Sequence, residues 1–297
     1  MKNTERGFLL LTCPLGDPGR KPLTTAQFRE LTRRMQAFSC DDPERQLQLQ
    51  DLTAMGYGDT FARHILNLLE QEEVLEGYLL AAKKKGIVPV TRVSEQYPLI
   101  LRRRLGLDAP GALWAMGNLS LLERPAVSLV GSRELRPENR RFAREAGRQA
   151  ALQGFAMVSG NARGADKAAQ EACLENGGSV ISVVADALTD HEARENVLYL
   201  SESSFEEPFS SQRALSRNRV IHALGRITLV AQATLQKGGT WDGTVKNLRK
   251  GWSPVACFRD GSEPMAQLEQ LGAELISPES LADLCALQNR QKSLFEL

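Results

Sequence analysis

The sequence is poor in the residues that build a metal centre or a disulfide framework. Its three histidines, His64, His191 and His222, have no metal-ligand spacing, and its five cysteines include no CxxC pair. An odd number of cysteines without such a pair argues against disulfides and zinc sites and is typical of a reducing cytosol. We therefore expect a cytoplasmic protein that holds no metal. The cysteines are Cys13, Cys40, Cys173, Cys257 and Cys285.

Long apolar runs and an excess of charge of one sign are also missing. The apolar run at residues 8–11 is too short for a secretory signal or a membrane span. With 37 Lys and Arg residues against 36 Asp and Glu residues, the formal net charge is +1. The whole molecule therefore has no field that attracts a polyanion, and any nucleic-acid site must be a local cluster of basic residues. We expect a soluble protein without a membrane partner.

Changes in composition divide the chain into three parts. Residues 1–88 have the apolar periodicity of helices and predict a small helical N-terminal domain. Residues 89–125 hold four prolines and predict a connector. Residues 126–297, in which short apolar segments alternate with helical ones, predict a Rossmann-like domain.

Helix signals in the first part have definite bounds. Thr24 and Gln27 have the spacing of a capping box, in which each side chain bonds the backbone N–H of the other residue. One long helix is expected from Asp59 or Thr60 to Gly86, because apolar residues recur there on one face and lysines precede the glycine.

From residue 126 onward, short apolar segments alternate with helical ones. Apolar strands that lack a period of two and are separated by helices indicate a parallel sheet covered on both faces. We therefore expect an α/β fold with a doubly wound, mostly parallel sheet, in which ligands bind outside the carboxyl ends of the strands. The predicted strands are 126–130, 155–159, 179–185, 197–201, 227–231, 254–258 and 273–277.

Three loops of this predicted sheet combine glycine with a basic residue, at 131–133, 159–166 and 237–240. Glycine lets a phosphate approach the backbone, and a helix that starts at such a loop offers free N–H groups to an anion. Because each loop follows a strand, we expect all three to meet at one edge of the sheet. The candidate residues are Gly131, Ser132, Arg133, Ser159, Gly160, Arg163, Lys237, Gly238, Gly239 and Thr240.

A further basic group lies within the helix predicted at 212–224. Arg217 and Arg219 flank Asn218 and are two positions apart, so they point to different faces of the helix. One of the two is expected to reach a ligand while the other packs inside the protein. In the preceding loop, Asp166 either caps the next helix or contacts the ligand.

Motifs of standard nucleotide and hydrolase sites are absent from the sequence. It contains no GxxxxGK[ST], no GxGxxG after the first strand, no GxSxG and no HExxH. Local positive charge on a nearly neutral chain favours a polyphosphate backbone or a nucleotide as the ligand. We expect no cofactor.

The order of these motifs resembles that of the DNA-processing protein A (DprA, also called Smf) family. The resemblance extends over about residues 97–276 and implies a Rossmann-like core that binds single-stranded DNA. It also implies a homodimer that loads a recombinase onto incoming strands during natural transformation. The winged-helix domain of some family members is not expected, because the chain ends soon after the last predicted helix. The shared segments are 97–98 (YP), 113–117 (LWAMG), 131–133, 159–166, 217–219 and 237–240.

The resemblance also implies roles for individual residues. Phosphate contacts are implied for Arg133, Arg163, Arg217 and Lys237. Asn218 is implied to orient the loop. Backbone donors are implied at Gly131, Ser132, Gly160, Gly238 and Gly239. The remaining residues expected in the DNA site are Ser159, Arg219, Thr240 and Trp241.

Some positions depart from the family pattern. Gln170 occupies the place of a frequent histidine, and Gln232 the place of the usual glutamate. Ala214 and Leu215 replace a Phe-Pro pair, so a stacking aromatic is expected to be missing. Trp241 either stacks on a base in its stead or is buried and fixes the start of a helix.

Two classes of function follow from these observations. The favoured one is a non-enzymatic protein that binds single-stranded DNA. The alternative is a nucleotide-binding or nucleoside-monophosphate-cleaving enzyme of a related Rossmann-like family, which has a GG-x-GT loop followed by a glutamate. That glutamate is missing here, and Asp242 is the nearby substitute. We therefore expect no enzymatic activity.

Overall fold

The computed structural model describes residues 1–38, 45–202 and 204–287, which form an α/β fold around a nine-stranded sheet. The strands are β1 (Ile87–Thr91), β2 (Ala112–Gly117), β3 (Ala126–Val130), β4 (Ala156–Ser159), β5 (Ser179–Val183), β6 (Val197–Ser201), β7 (Thr228–Val230), β8 (Val255–Phe258) and β9 (Glu274–Ile276). The helices are α1 (Asn3–Thr12), α2 (Thr25–Ala37), α3 (Leu49–Ala54), α4 (Asp59–Leu69), α5 (Glu72–Lys84), α6 (Leu99–Leu105), α7 (Pro137–Leu152), α8 (Ala165–Glu175), α9 (Ser211–Leu224), α10 (Gly238–Lys250) and α11 (Glu263–Gln270).

The sheet has the predicted doubly wound, mostly parallel form. Its strand order is β1-β2-β6-β5-β4-β3-β7-β8-β9, and the strands from β3 to β9 pair in parallel. Every residue of β3, β4, β5 and β6 is buried, which explains why these strands show no alternation of apolar and polar residues. One core cluster packs α1, α5, α7 and α8 on one face of the sheet, and another packs α6, α9, α10 and α11 on the other.

The direction of winding reverses at β3. The chain adds β4, β5 and β6 on one side of β3 and then returns to add β7, β8 and β9 on its other side. The loops that leave β3 and β7 therefore diverge to opposite faces, and this leaves a crevice at the carboxyl ends of these strands.

Residues 89–125, predicted as a connector, instead add antiparallel strands to the sheet. Strand β2 pairs with β6, and β1 pairs with β2 at the edge of the sheet. The predicted boundary at residue 88 therefore falls inside β1. The prolines misled the prediction because an edge strand tolerates proline, and Pro89 lies in that edge strand.

The long helix predicted between residues 59 and 86 is divided into α4 and α5. Buried Arg20 explains the division, since its guanidinium donates to the carbonyl of Leu68 in the last turn of α4. The same side chain donates to Gln71 between the two helices and to Leu10 and Cys13 at the end of α1. One arginine from a distant loop therefore binds the carbonyl ends of two helices.

Smaller predictions have mixed outcomes. The capping box of α2 is confirmed, with the backbone N–H of Thr24 donating to Gln27 Oε1 at 2.9 Å. The segment predicted as a last helix begins with a 3₁₀ turn at Pro278–Ala282, and residues 288–297 of the predicted third part lie outside the described residues.

The cysteines that the structure describes are unpaired. Cys13, Cys173 and Cys257 are buried, Cys285 is exposed, and Cys40 lies outside the described residues. Across the described ranges, we find no helix with the length and apolar character that a bilayer crossing requires.

Candidate functional site

A cleft of about 700 Å³ lies at the carboxyl ends of β3, β4 and β7. The three glycine-containing loops predicted to meet at one edge of the sheet all line it, as does α9. The predicted site residues that line the cleft are Gly131, Ser132, Arg133, Arg163, Arg217, Asn218, Lys237, Gly238, Gly239 and Thr240. The winding reversal at β3 is the physical reason that loops distant in sequence meet here.

The loop after β3 lies close to the loops after β4 and β7. The backbone N–H of Ser132 donates to the carbonyl of Gln232 at 2.9 Å, and that of Ala165 donates to the carbonyl of Ser132 at 3.2 Å. Gly164 has a φ of +82°, and a Cβ there would overlap the carbonyl oxygens of Ser132 and Arg133. Only glycine therefore allows this close approach of the two loops.

The floor of the cleft contains a buried carboxyl group, that of Asp166, and a buried guanidinium group, that of Arg217. Asp166 accepts hydrogen bonds from the backbone N–H groups of Gly160 and Ala162 at 3.0 and 3.2 Å. Arg217 donates to the carbonyl of Val183 at the end of β5. Burial raises the pKa of the Asp166 carboxyl, and the positive charge of Arg217 opposes this effect. Asp166 therefore holds the loop after β4, a structural role that differs from the predicted helix cap, because the N-cap residue of α8 is Gly164.

Arg217 is surrounded by protein although it lines the cleft. Its side chain is buried, and burial lowers the pKa of its guanidinium. A Cβ at Gly160 would overlap this guanidinium, so the glycine makes space for it. Within α9, Asn218 donates to the carbonyl of Gly239 at 3.1 Å and so fixes the first turn of α10.

Three basic side chains on the cleft are exposed: Arg133, Arg163 and Lys237. Each comes from a different loop, after β3, β4 and β7 respectively. Among the described residues, none of the three side chains has a hydrogen-bond or ion-pair partner, in contrast to most other arginines near the sheet edge. Their charge is therefore available to an anion.

The start of α10 adds backbone donors to the same cleft. The helix begins at Gly238, and Lys237 is its N-cap residue without a side-chain cap. The first N–H groups of a helix have no partner within the helix, and the helix dipole favours an anion at this end. Gly239 and Thr240 line the cleft at this position.

One wall of the cleft is apolar, a feature that was not predicted from the sequence. Phe209 and Leu215 line the cleft and are each 51 % exposed. The Arg133 guanidinium lies 5.7 Å from the centre of the Phe209 ring, within the range of a cation–π contact. Phe209 lies just before α9. A phenylalanine next to the start of this predicted helix was the sequence feature that could have indicated an aromatic side chain in the cleft.

Four predicted site residues are not in the cleft lining. Ser159 is buried and accepts a hydrogen bond from Gln170, and Gly160 packs beneath the Arg217 guanidinium. Arg219 points away, as expected for one of the two arginines, and forms an ion pair with Glu202 at 2.6 Å. Trp241 is only 8 % exposed and belongs to the core beneath α10.

The burial of Trp241 corrects its predicted place in the DNA site and agrees with the alternative of a tryptophan that fixes the start of a helix. Trp241 lies in the first turn of α10 and faces the sheet, because the helix presents that side to the core. The aromatic group that does line the cleft is Phe209.

Two glutamines stand at the positions that depart from the family pattern. Gln170 donates to Ser159 Oγ at 2.7 Å and to Ser182 Oγ at 2.9 Å, and so connects β4 with β5. Gln232 accepts from the backbone N–H of Arg136 and donates to the carbonyl of Glu134, both at 3.0 Å. Both residues hold the loops around the cleft in place.

The histidine nearest to this region is part of the core. His222 is fully buried between Thr228 and Asn247, and burial lowers its pKa to about 3. In the part of the chain that the structure describes, no three His, Cys, Asp or Glu side chains lie together in a way that could hold a metal ion.

Comparison with known proteins gives consistent matches. A sequence model of the family "DNA recombination-mediator protein A" matches residues 89–283. The chain is 30 % identical to the DNA processing protein DprA of Streptococcus pneumoniae over 188 residues. That alignment covers 57 % of this chain and 64 % of the Streptococcus pneumoniae protein. It is 27 % identical to the DprA protein of Bacillus subtilis over 252 residues. That alignment covers 79 % of this chain and 84 % of the Bacillus subtilis protein.

Solved structures show the same fold. The X-ray structure of DprA from Streptococcus pneumoniae superposes with a TM-score of 0.72 at 24 % identity, covering 95 % of this chain and 97 % of that one. A DprA structure from Helicobacter pylori, described for its single-stranded DNA binding mode, superposes with a TM-score of 0.52 at 22 % identity. It covers 71 % of this chain and 96 % of that one.

Proposed function

The chain belongs to the DNA recombination-mediator protein A family, and we propose that it binds single-stranded DNA in the cleft. The observation that carries the proposal is the set of three exposed cations, Arg133, Arg163 and Lys237, which have no hydrogen-bond or ion-pair partner among the described residues. They converge on a cleft where helix α10 begins with its free N–H groups. This combination favours phosphate groups as the ligand.

The apolar wall supports a single strand over a duplex. Unpaired bases expose their faces and stack on aromatic side chains, whereas the bases of a duplex are already stacked on each other. Phe209 and Leu215 offer such a surface next to Arg133, whose guanidinium lies against the Phe209 ring. We therefore expect the phosphates to lie on the glycine-containing loops and the bases to lie on Phe209.

A purely binding role is also part of this proposal. The carboxylates on the cleft lining are Glu134 and Asp166, and both carboxylate hydrogen bonds of Asp166 come from backbone N–H groups of its own loop. Asp242, the substitute for the glutamate of the related hydrolases, is exposed on α10 and is not part of the lining. Because Asp166 is occupied by its own loop and Asp242 lies outside the lining, these positions favour binding over cleavage of a nucleoside monophosphate.

Membership of the family supports three finer proposals. We propose that the protein forms a homodimer, that it acts in the cytoplasm, and that it passes its bound strand to a recombinase in natural transformation or DNA processing. Light scattering coupled to size exclusion tests the homodimer, and a mass of 32.7 kDa, that of one chain, is the contrary result.

Fluorescence anisotropy with labelled oligo-dT at two salt concentrations tests the main proposal. Affinity is expected to fall as salt rises, with a log–log slope of about −0.7 for each phosphate neutralised. The same oligonucleotide in duplex form is the control and is expected to bind more weakly. Release of free base from a nucleoside monophosphate, without tight binding of oligo-dT, would favour the enzymatic alternative.

A further inference from the structure

A second groove, of about 660 Å³, runs along α7 and is bordered by Ala172 and Asn176 of α8, by Phe258 of β8 and by Pro278. Three of the arginines of α7 line it, together with Glu138 before them and Glu145 between the last two. The aromatic rings of Phe142 and Phe258 form part of its lining. The charged residues of the groove are Glu138, Arg141, Arg144, Glu145 and Arg148.

This groove begins next to the cleft. The cleft loop that carries Arg133 leads directly into α7, which starts at Pro137. At a rise of about 1.5 Å per residue, Arg141 lies about 6 Å from the start of the helix and Arg148 about 16 Å from it. The arginines therefore continue the row of basic side chains from Arg133 along one helix, with Glu138 and Glu145 among them.

The charge of these arginines is available to a polyanion. Arg140 and Arg141 are exposed and have no ion-pair or hydrogen-bond partner within the described ranges. Arg144 pairs with Glu175, and Arg148 pairs with Glu145, but the arginine side chains remain 45 % and 43 % exposed. Exposed ion pairs of this kind contribute little stability, so a phosphate can take the place of the carboxylate.

The opposite side of α9 offers no comparable route. A cavity of about 530 Å³ there is lined by Arg213 and Arg219. Arg213 donates to three backbone carbonyls, and Arg219 pairs with Glu202. The side chains of Arg213 and Arg219 are each only 15 % exposed, so the ion pair and hydrogen bonds of these cations are far less open to a phosphate than those of α7.

From these observations we propose that a single strand that leaves the cleft continues along α7, with its phosphates on Arg141, Arg144 and Arg148. The inference rests on the proposed function, because it assigns a path to the strand that the cleft binds. A cleft of about 700 Å³ has the size of a small-molecule site, so only a few nucleotides lie inside it and a longer strand needs such a path.

Two lengths of labelled oligo-dT test this path, one of about 6 and one of about 30 nucleotides. The double variant Arg141→Glu with Arg144→Glu is expected to bind the long strand at least about tenfold more weakly and the short strand as the wild type does. The control is Arg102→Glu with Arg103→Glu, two exposed arginines of α6, which packs on the opposite face of the sheet. The milder variant Arg141→Gln serves if the double variant has a lowered melting temperature.

Equal affinity of the wild type and the α7 variants for the long strand overturns the proposed path. An equal loss in the α6 control also overturns it, since the effect would then be one of net charge. Failure of the wild type to bind even the short strand contradicts the proposed function of the cleft itself, and the path with it.

Discussion

At the residue scale, two aromatic side chains near the cleft differ in exposure and therefore in expected role. Phe209 is half-exposed on the cleft wall, and its replacement by alanine is expected to weaken binding of oligo-dT by about 1–3 kcal/mol without lowering the melting temperature. Anisotropy and thermal unfolding measure the two effects. Leu80→Ala, a similarly exposed residue of α5, is the matched control, and an equal loss of affinity there would argue against stacking on Phe209.

Trp241 is expected to behave in the opposite way. Because its indole is packed in the core, Trp241→Ala is expected to lower the free energy of unfolding by about 3–5 kcal/mol. Denaturant unfolding measures this loss. An unchanged stability together with weakened DNA binding would restore the base-stacking role that the sequence left open.

The exposed cations of the cleft predict a defined salt dependence. Removal of one phosphate contact by Lys237→Ala is expected to make the log–log slope of affinity against salt shallower by about 0.7. Lys246→Ala, an exposed lysine of α10 outside the cleft lining, is expected to leave the slope unchanged. Identical slopes for the wild type and Lys237→Ala would show that this lysine does not touch the strand.

At the element scale, the packing of α7 on α8 determines how the loops that precede these helices, after β3 and β4, meet at the cleft. Gly147 of α7 lies directly against the carbonyl of Ala169 in α8, where a Cβ would overlap that carbonyl. Gly147→Ala is therefore expected to destabilise the fold by about 1–3 kcal/mol, as overpacking does. Gly77→Ala in α5, where nothing lies within 4 Å, is expected to stabilise it by about 0.5–1 kcal/mol. Thermal unfolding of both variants checks the contrast, and a stabilised Gly147→Ala variant would contradict this packing.

The elements also show where sequence patterns are informative. The parallel strands were located to within two residues, because fully buried strands read as short apolar runs bounded by turns. Strands β1 and β2 were missed, because β2 pairs with β6 far along the chain and prolines lie in and around this segment. The break between α4 and α5 was missed because the side chain that accompanies it is remote in sequence. Arg20, which donates a hydrogen bond to the carbonyl of Leu68 at the end of α4, lies about 50 residues earlier in the chain.

At the scale of the whole molecule, buried His222 couples stability to pH. Its pKa is about 3 in the folded protein and about 6.5 when unfolded, so below pH 6.5 the unfolded chain binds a proton that the folded core excludes. The free energy of unfolding is therefore expected to fall as pH drops from about 6.5 toward 3, by up to about 1.4 kcal/mol per pH unit from this residue. Denaturant unfolding at pH 7 and at about pH 5 measures this fall. The free energy of unfolding is expected to fall less between these pH values in His222→Gln than in the wild type. An equal drop in both proteins would mean that His222 does not contribute.

The sequence by itself determined the parallel α/β architecture and the loops that carry glycine and a basic residue. Burial on two faces leaves apolar runs, and sharp turns need glycine, so both features are visible in local sequence. Only the tertiary structure decided which side chains face the cleft. Arg217 is buried at the floor of the cleft, and Phe209 lines its apolar wall. Arg219 forms an ion pair with Glu202, and Trp241 packs in the core. Orientation and partner choice depend on residues from elsewhere in the chain, and local sequence does not contain that information.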